Sequence, residues 1–494
     1  MAKAIMILGT GSSVGKSLVV TALCSVLKRR GIKVCPFKAQ NMSNNSFPAA
    51  EGGEIGRAQV VQAEAAGLLP SVHMNPVLLK PSGGGIIQVI VHGKVFGNIR
   101  TKEYPKLKPR LKEAILSSYK RLEKEYDVIV IEGAGSCCEM NLKAHDIANF
   151  PLAKQIGASC IIVGDIDRGG IFPQLIGTYH LMDEEERRIT KGFIVNKMRG
   201  EISLFLDGIR FIEDYTSIPV IGVLPYVDDL NIDPEDSVEV QKENLRKKEP
   251  DQGKINIAVI RLPSISNFTD TGILFYEKDV ILNYLFRPDE LSDLYDMLII
   301  PGTKNSIEDA LWIKKSGWEK KIKEFARKGK IVFGICGGFQ ILGKSIKDPY
   351  GVESEKGEVK GIGLLPIRTV IFKEKTVRKV KGRCLLNRRK IEGYEIHMGR
   401  TEAIEEKGMP FSKLRSDGES WFDGWILGNV MGTYVHGIMD SAGFREDILN
   451  RIRLKKGLKP KKRRINRMLR FREYERLADI FEKYCNMRKI LEII

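Results

Sequence analysis

The stretch Ala4–Ser17, AIMILGTGSSVGKS, decides how the first half of the chain folds. Ala4–Leu8 is short and aliphatic, which reads as a buried strand. A glycine-containing loop follows at once, and a helix from Lys16 to Arg30 is closed by Gly31. Strand, glycine loop and helix in that order, with Gly15-Lys16-Ser17 at the turn into the helix, are the setting of a phosphate-binding loop. Backbone N–H groups of Gly11, Ser12, Val14 and Gly15 would cradle phosphate oxygens at the helix start. Lys16 would neutralise the β- and γ-phosphates, and the Ser17 hydroxyl would ligate Mg²⁺. The nucleotide expected there is ATP. Thr10 stands where the common pattern has glycine, with Gly9 and Gly11 on either side.

Working outward, Lys33–Phe37, Val128–Glu132, Cys160–Asp165 and Gly192–Val195 are further short aliphatic strands separated by helical stretches. Such alternation predicts a parallel sheet with helices on both faces. Ligands of an open parallel sheet gather at the carboxyl ends of its strands. Glu132 ends one strand ahead of Gly133-Ala134-Gly135, and Asp165 and Asp167, in GDIDRGG, close the next. All three carboxylates are therefore expected in one crevice, with Glu132 and Asp165 beside Ser17 as metal ligands. Each of the three also fits a helix cap or turn. Asn196-Lys197, after a further strand, resembles the dipeptide with which P-loop proteins recognise a base.

The charged stretch Ser237–Lys254 offers little to bury and reads as a linker. This divides the chain into an N-terminal domain over 1–236, a second domain over 255–447 and a basic extension over 448–494. In the second domain Ile255–Ile260, Met297–Pro301 and Lys330–Ile335 are again strand-like, so both domains are α/β with parallel sheets. Cys336 follows the last strand inside Gly334-Ile335-Cys336-Gly337-Gly338, and a helix begins beyond it. A cysteine held between strand and helix by glycines is a nucleophile elbow. The helix start favours an anion, and the thiolate is the nucleophilic form. Of six histidines only His397 and His436 lie in this half, and spacing does not choose between them as the base. Backbone N–H groups of Gly337 and of Gly302 or Thr303 are the candidates for an oxyanion hole.

The chain has 494 residues, enough for two large cores. Hydrophobic residues make up 43% and charged residues 29%, as in soluble globular proteins, and no apolar run could span a bilayer. The N-terminus lacks the layout of a secretory signal, so a cytoplasmic location is expected and a membrane is not. Eight scattered cysteines without a CxxC pair argue against a disulfide framework or zinc site, and Cys137-Cys138 reads as small turn residues. The net charge of +18 raises nucleic acid as a partner. Yet the densest basic run, Lys455–Arg464 (KKGLKPKKRR), has no interleaved aromatic and no surrounding motif, and reads as a solvated face.

Longer strings carry a resemblance over nearly the whole chain. Phe37–Ser46 (FKAQNMSNNS), Gly53–Ala66 (GEIGRAQVVQAEAA), Asn75–Lys80 (NPVLLK), Val91–Gly97 (VHGKVFG), Arg261–Asp270 (RLPSISNFTD), GICGG and GYEIHMGRT are similar to the cobyric acid synthase family. The phosphate loop and the EGAG at Glu132 resemble dethiobiotin-synthetase-like enzymes, whose glutamate binds the metal. The resemblance implies a P-loop synthetase domain and a class I-like glutamine amidotransferase domain. It implies ATP- and glutamine-dependent amidation of side-chain carboxylates of a corrinoid, adenosylcobyrinic acid a,c-diamide. The nucleophile maps to Cys336 and the base to His436, leaving His397 structural or on the substrate side. Lys38, Gln40, Asn41, Ser43, Asp167 and Arg168 fall on the substrate side of the synthetase domain. Related architectures, the a,c-diamide synthase and the cell-wall amidotransferases, lack the FKAQNMS string. A P-loop regulatory ATPase would not need the GICGG elbow. Ile438 stands where triad glutaminases have a glutamate, so a dyad or an acid from elsewhere must orient His436.

Overall fold

The computed structural model describes residues 2–233, 247–462 and 468–494. Its first sheet has six parallel strands in the order Val220–Pro225, Thr190–Met198, Ser159–Asp165, Lys3–Gly9, Val128–Glu132, Val34–Phe37. The strand before the phosphate loop is central, and its Ile5–Leu8 are fully buried. Register sets Ile7 opposite Glu132 and Gly9 opposite Val163, so the loop, Glu132 and Asp165 all leave the sheet at one edge. Helix Lys16–Arg29 covers one face with Val19, Val20, Leu23 and Leu27. Residues 40–100 add a small four-stranded sheet, Gln40–Met42, Val77–Gly83, Ile86–Val91 and Lys94–Arg100, and a hairpin of Ser46–Pro48 with Glu54–Gly56.

The second domain centres on strands ordered Val280–Leu285, Ile255–Ile260, Met297–Ile300, Ile331–Ile335, Val430–Thr433, Trp425–Leu427. All pairs are parallel except the last. A long antiparallel pair, Ile367–Cys384 with Lys390–Ala403, belongs to a neighbouring sheet. It carries the GYEIHMGRT string past the end of the central sheet.

Helix Ala442–Lys455 runs through residue 447, and its Phe444, Ile448, Leu449 and Ile452 lie in the second core. The chain then returns to the first domain. Helix Met468–Tyr484 sets Leu477, Ala478 and Phe481 into the core beside helix Lys16–Arg29. Its acidic side meets that helix's basic end: Arg29 pairs with Glu475 and Asp479, and Arg30 with Glu482. Of the expected linker, Ser237–Arg246 lies outside the described residues. Its remainder is tied to the second domain, where Lys248 N–H donates to Asn283 and Lys247 pairs with Glu290. In the basic run Lys456 pairs with Asp296 and Lys461 with Asp279, and Arg463 and Arg464 lie outside the described residues.

The domains meet through polar groups as well as rings. Ser46 N–H donates to Asn267 Oδ1 at 3.0 Å, and Phe47 packs edge-on against Tyr394, with ring centroids 4.6 Å apart. Fully buried Glu54 of the first domain is shared by Lys80 of that domain and Lys375 of the second, both at 2.6 Å. No helix among the described residues is long and apolar enough to cross a membrane.

Candidate active site

The phosphate loop is held open by its own turn and braced from the side. Gly15 sits at φ 104°, and a Cβ there would fall 2.0 Å from Asn196 Nδ2, so only glycine fits. Asn196 donates to Val14 O at 2.8 Å, and Lys197 donates to Ser13 O at 2.6 Å while pairing with Asp165 at 2.6 Å. Both residues expected at a base are thus engaged with the loop itself. Lys16 reaches back over the loop to Gly11 O (2.9 Å) and Gly135 O (2.7 Å).

Ser17 Oγ donates to Glu132 Oε1 at 2.8 Å, and Lys38 Nζ is 2.8 Å from the same oxygen; Gln62 donates to the other. The three carboxylates expected in one crevice each take a separate protein partner. Glu132 is turned to Ser17, Asp165 to Lys197, and exposed Asp167 to Arg199. No group of three His, Cys, Asp or Glu that could hold a metal occurs among the described residues. Ser17 and Glu132 nevertheless suit magnesium, a hard cation that needs few protein oxygens because phosphates and water complete its shell. Of the other expected substrate-side residues, Gln40 accepts from Tyr104, Asn41 donates to Gln59 at 2.8 Å, Ser43 Oγ accepts the Asn45 N–H at 3.0 Å, and Arg168 is exposed.

In the second domain Cys336 stands between strand Ile331–Ile335 and helix Gly337–Leu342 at φ 52°, ψ −110°. That left-handed φ is rare for a residue with a side chain, and here it turns the thiol out at the top of the sheet. Gly337, as the first helical residue, has an N–H with no acceptor inside the helix. Gly302, at the end of the adjacent strand, lies against His436: a Cβ on it would sit 3.0 Å from the imidazole Cε1. The structure thus brings Cys336, Gly337, Gly302 and His436 together.

His436 is buried, and its Nδ1 is 2.7 Å from Asp270 Oδ2, while the Cys336 thiol donates to Ile396 O at 3.6 Å. The other Asp270 oxygen accepts the Gly437 N–H at 2.8 Å. Tyr394 stacks on the imidazole at 5.3 Å. Burial opposes a charge on His436, but the charges of Asp270 and Cys336 and the Asp270 hydrogen bond outweigh it and raise the pKa to about 10. His397 is separate from this constellation. It stacks on Tyr434 at 3.9 Å, its Nδ1 is 2.8 Å from Gly399 O, and burial pushes its pKa down to about 3.

Asp270 was not singled out as a site residue from sequence. It ends the RLPSISNFTD string, on a 3₁₀ segment 166 positions before His436. Only the missing acid at Ile438 signalled that such a residue had to exist.

Known proteins agree with this division. Residues 5–240 match the model of the CobQ/CobB/MinD/ParA nucleotide binding domain, and residues 256–444 that of the CobB/CobQ-like glutamine amidotransferase domain. A cobyric acid synthase of Clostridium botulinum (strain Loch Maree / Type A3) is 46% identical over 100% of this chain and 99% of its own length. One from Clostridium acetobutylicum is 45% identical over 99% of this chain and 98% of its own. This chain belongs to the cobyric acid synthase family. Membership makes it an enzyme in which one chain joins a nucleotide-binding domain to a glutamine amidotransferase domain. Among solved structures, a glutamine amidotransferase matches 41% of the chain at 13% identity with a TM-score of 0.31, too slight a likeness to add to this.

Proposed function

We propose that the chain amidates the b, d, e and g side-chain carboxylates of adenosylcobyrinic acid a,c-diamide to give adenosylcobyric acid, using ATP and ammonia released from glutamine. The observation that carries this reading is the buried Cys336–His436–Asp270 array in the same chain as a braced phosphate loop.

A carboxylate is a poor electrophile. Transfer of the γ-phosphoryl group to it makes an acyl phosphate, which ammonia attacks with loss of phosphate. Lys16 and the loop N–H groups stabilise charge on the transferring group. Lys16 exchanges its two carbonyl partners for phosphate oxygens when nucleotide enters. Ser17 and Glu132 would hold Mg²⁺, which supplies neutralisation of the phosphate charge.

At the other site Cys336 attacks the glutamine side-chain amide, forming a thioester and releasing ammonia. The N–H groups of Gly337 and of Gly302 or Thr303 take the developing oxyanion. His436, protonated beside the sulfur, gives its proton to the departing nitrogen and then draws one from the water that cleaves the thioester. Asp270 fixes the tautomer and ring plane by its bond to Nδ1 and stabilises the imidazolium. Keeping ammonia away from bulk water keeps it unprotonated and nucleophilic.

Mass spectrometry of the corrinoid after incubation with ATP, Mg²⁺ and glutamine tests the proposal. Each conversion lowers the mass by the difference between a hydroxyl and an amino group. A series of such steps, absent without ATP, is expected. An unchanged corrinoid alongside active glutaminase would point instead to another carboxylate substrate.

A further inference from the structure

Beside the elbow lies a lysine that the mechanism above does not use. Lys304 directly follows Gly302-Thr303, and its own backbone N–H is fixed to Ser264 O at 2.9 Å. Its side chain is partly buried at the domain interface, where the charges it senses are Lys375, Glu353 and Glu54. No carboxylate among the described residues lies within ion-pair distance of its ammonium.

Neither nearby acid is free to serve it. Glu54 is already shared by Lys80 and Lys375 at 2.6 Å each. Glu353 is turned to helix Ser306–Lys315, accepting Ser306 N–H at 2.8 Å and Ser306 Oγ–H at 2.7 Å. Burial and the like charge of Lys375 pull the Lys304 pKa down to about 8, against weaker help from Glu353 and Glu54. A cation held between two domains without a counter-ion is costly, and a ligand carboxylate would relieve that cost.

We propose that Lys304 is the carboxylate-binding residue of the glutaminase half, placed beside the oxyanion wall to receive a ligand carboxylate at the domain interface. This rests on the glutaminase reading above. Two carboxylates come to this enzyme: the α-carboxylate of glutamine and the side-chain carboxylates of the corrinoid. Position favours the first, because Lys304 is one residue from Thr303 and two from Gly302, where the glutamine amide would lie.

The test uses the full chain with K304Q and K304R. In one arm, kcat/KM of glutamine hydrolysis is compared for L-glutamine and its α-carboxamide, which lacks the charge. The wild type should prefer glutamine strongly, and K304Q should lose about 100-fold of that preference, as when a buried charge loses its partner. K304R, which keeps a cation, should retain part of it. In the other arm, the KM of the corrinoid is measured with ammonium as nitrogen source; a rise in K304Q of about tenfold or more would assign Lys304 to the corrinoid instead. Unchanged preference and unchanged corrinoid KM in folded K304Q overturn the proposal. Should K304Q not fold, an unchanged preference in K304R together with a wild type indifferent to the α-carboxylate would do the same. Glutamine hydrolysis that survives in C336A would sink the underlying glutaminase reading, whichever way the lysine behaves.

Discussion

Asp270→Asn isolates the contribution of the acid that orients His436. Asparagine has the same shape but only one acceptor, whereas Asp270 uses two: one oxygen at 2.7 Å from His436 Nδ1, the other accepting Gly437 N–H at 2.8 Å. Either amide orientation loses one bond, and both lose the charge. The rise of the His436 pKa from the ordinary histidine range to about 10 is a net gain shared by Asp270 and Cys336 against burial. At about 1.4 kcal/mol per unit the rise stands for roughly 5 kcal/mol in all. If about half belongs to Asp270, glutamine-dependent turnover should fall roughly 30- to 150-fold. The pH profile should move as well. His436 acts while protonated, so wild-type glutaminase activity should fall along an alkaline limb as pH rises toward about 10. Without the carboxylate that limb should lie at lower pH. The assay is stopped-time ammonia release from glutamine across pH, beside ammonium-driven corrinoid amidation. Turnover within about threefold of wild type, with an unmoved alkaline limb, would refute the role given to Asp270. So would an equal loss with both nitrogen sources.

The synthetase half gives a complementary result. Lys16→Ala should abolish amide formation from glutamine and ammonium alike, because the side chain acts on the phosphoryl group, and substantial synthesis with either nitrogen source would remove the phosphate-loop assignment. Gly15→Ala should do the same, since its Cβ would fall 2.0 Å from Asn196 Nδ2; retained nucleotide affinity would show that the loop tolerates the change. Glu54→Gln should destabilise the chain by about 3–5 kcal/mol, seen as a lower unfolding temperature, because Lys80 and Lys375 stay buried without their counter-ion. Burial would raise the Glu54 pKa, but Lys375 and Lys80 hold it well below the carboxylate range; its contribution is therefore present at neutral and mildly acidic pH and lost only in strong acid. An unshifted unfolding temperature would contradict that pairing. His397→Ala should leave the ratio of ammonium-driven to glutamine-driven rates unchanged, because its ring stacks on Tyr434 and not on Cys336; a raised ratio would mean that the wrong histidine was named.

What could be read from sequence followed from local rules. Ile5–Leu8 and Ile331–Ile335 are buried on both faces, so an aliphatic run sufficed to mark them, and the glycines around Lys16 and Cys336 report backbone needs fixed within a few residues. What was illegible depends on contacts far apart in the chain. The 54-to-375 ion pair and the return of helix Met468–Tyr484 to the first core have no local pattern. Asp270 is an acid like others until the fold sets it against His436, 166 positions away. The partners of the expected metal ligands were hidden for the same reason. Strand ends placed Glu132 and Asp165 at one edge, but Lys197, left-handed at φ 65°, takes Asp165 for the loop brace. The basic run read as a solvated face, and Lys455, Lys459, Lys461 and Lys462 are exposed; the ion pairs of Lys461 with Asp279 and Lys456 with Asp296 had no local signal.

The central claim is that one half makes ammonia and the other uses it. The measurement that tests it most directly is the nitrogen-source dependence of Cys336→Ala. Corrinoid amidation is followed by mass spectrometry with ATP and Mg²⁺, once with glutamine and once with concentrated ammonium at raised pH, where more of the nitrogen is unprotonated. The thiolate touches neither the carboxylate nor ATP, so the variant should fail with glutamine and still amidate the corrinoid from ammonium at close to the wild-type rate. Full glutamine-dependent synthesis in Cys336→Ala, or loss of synthesis from both sources in a folded protein, would contradict the account.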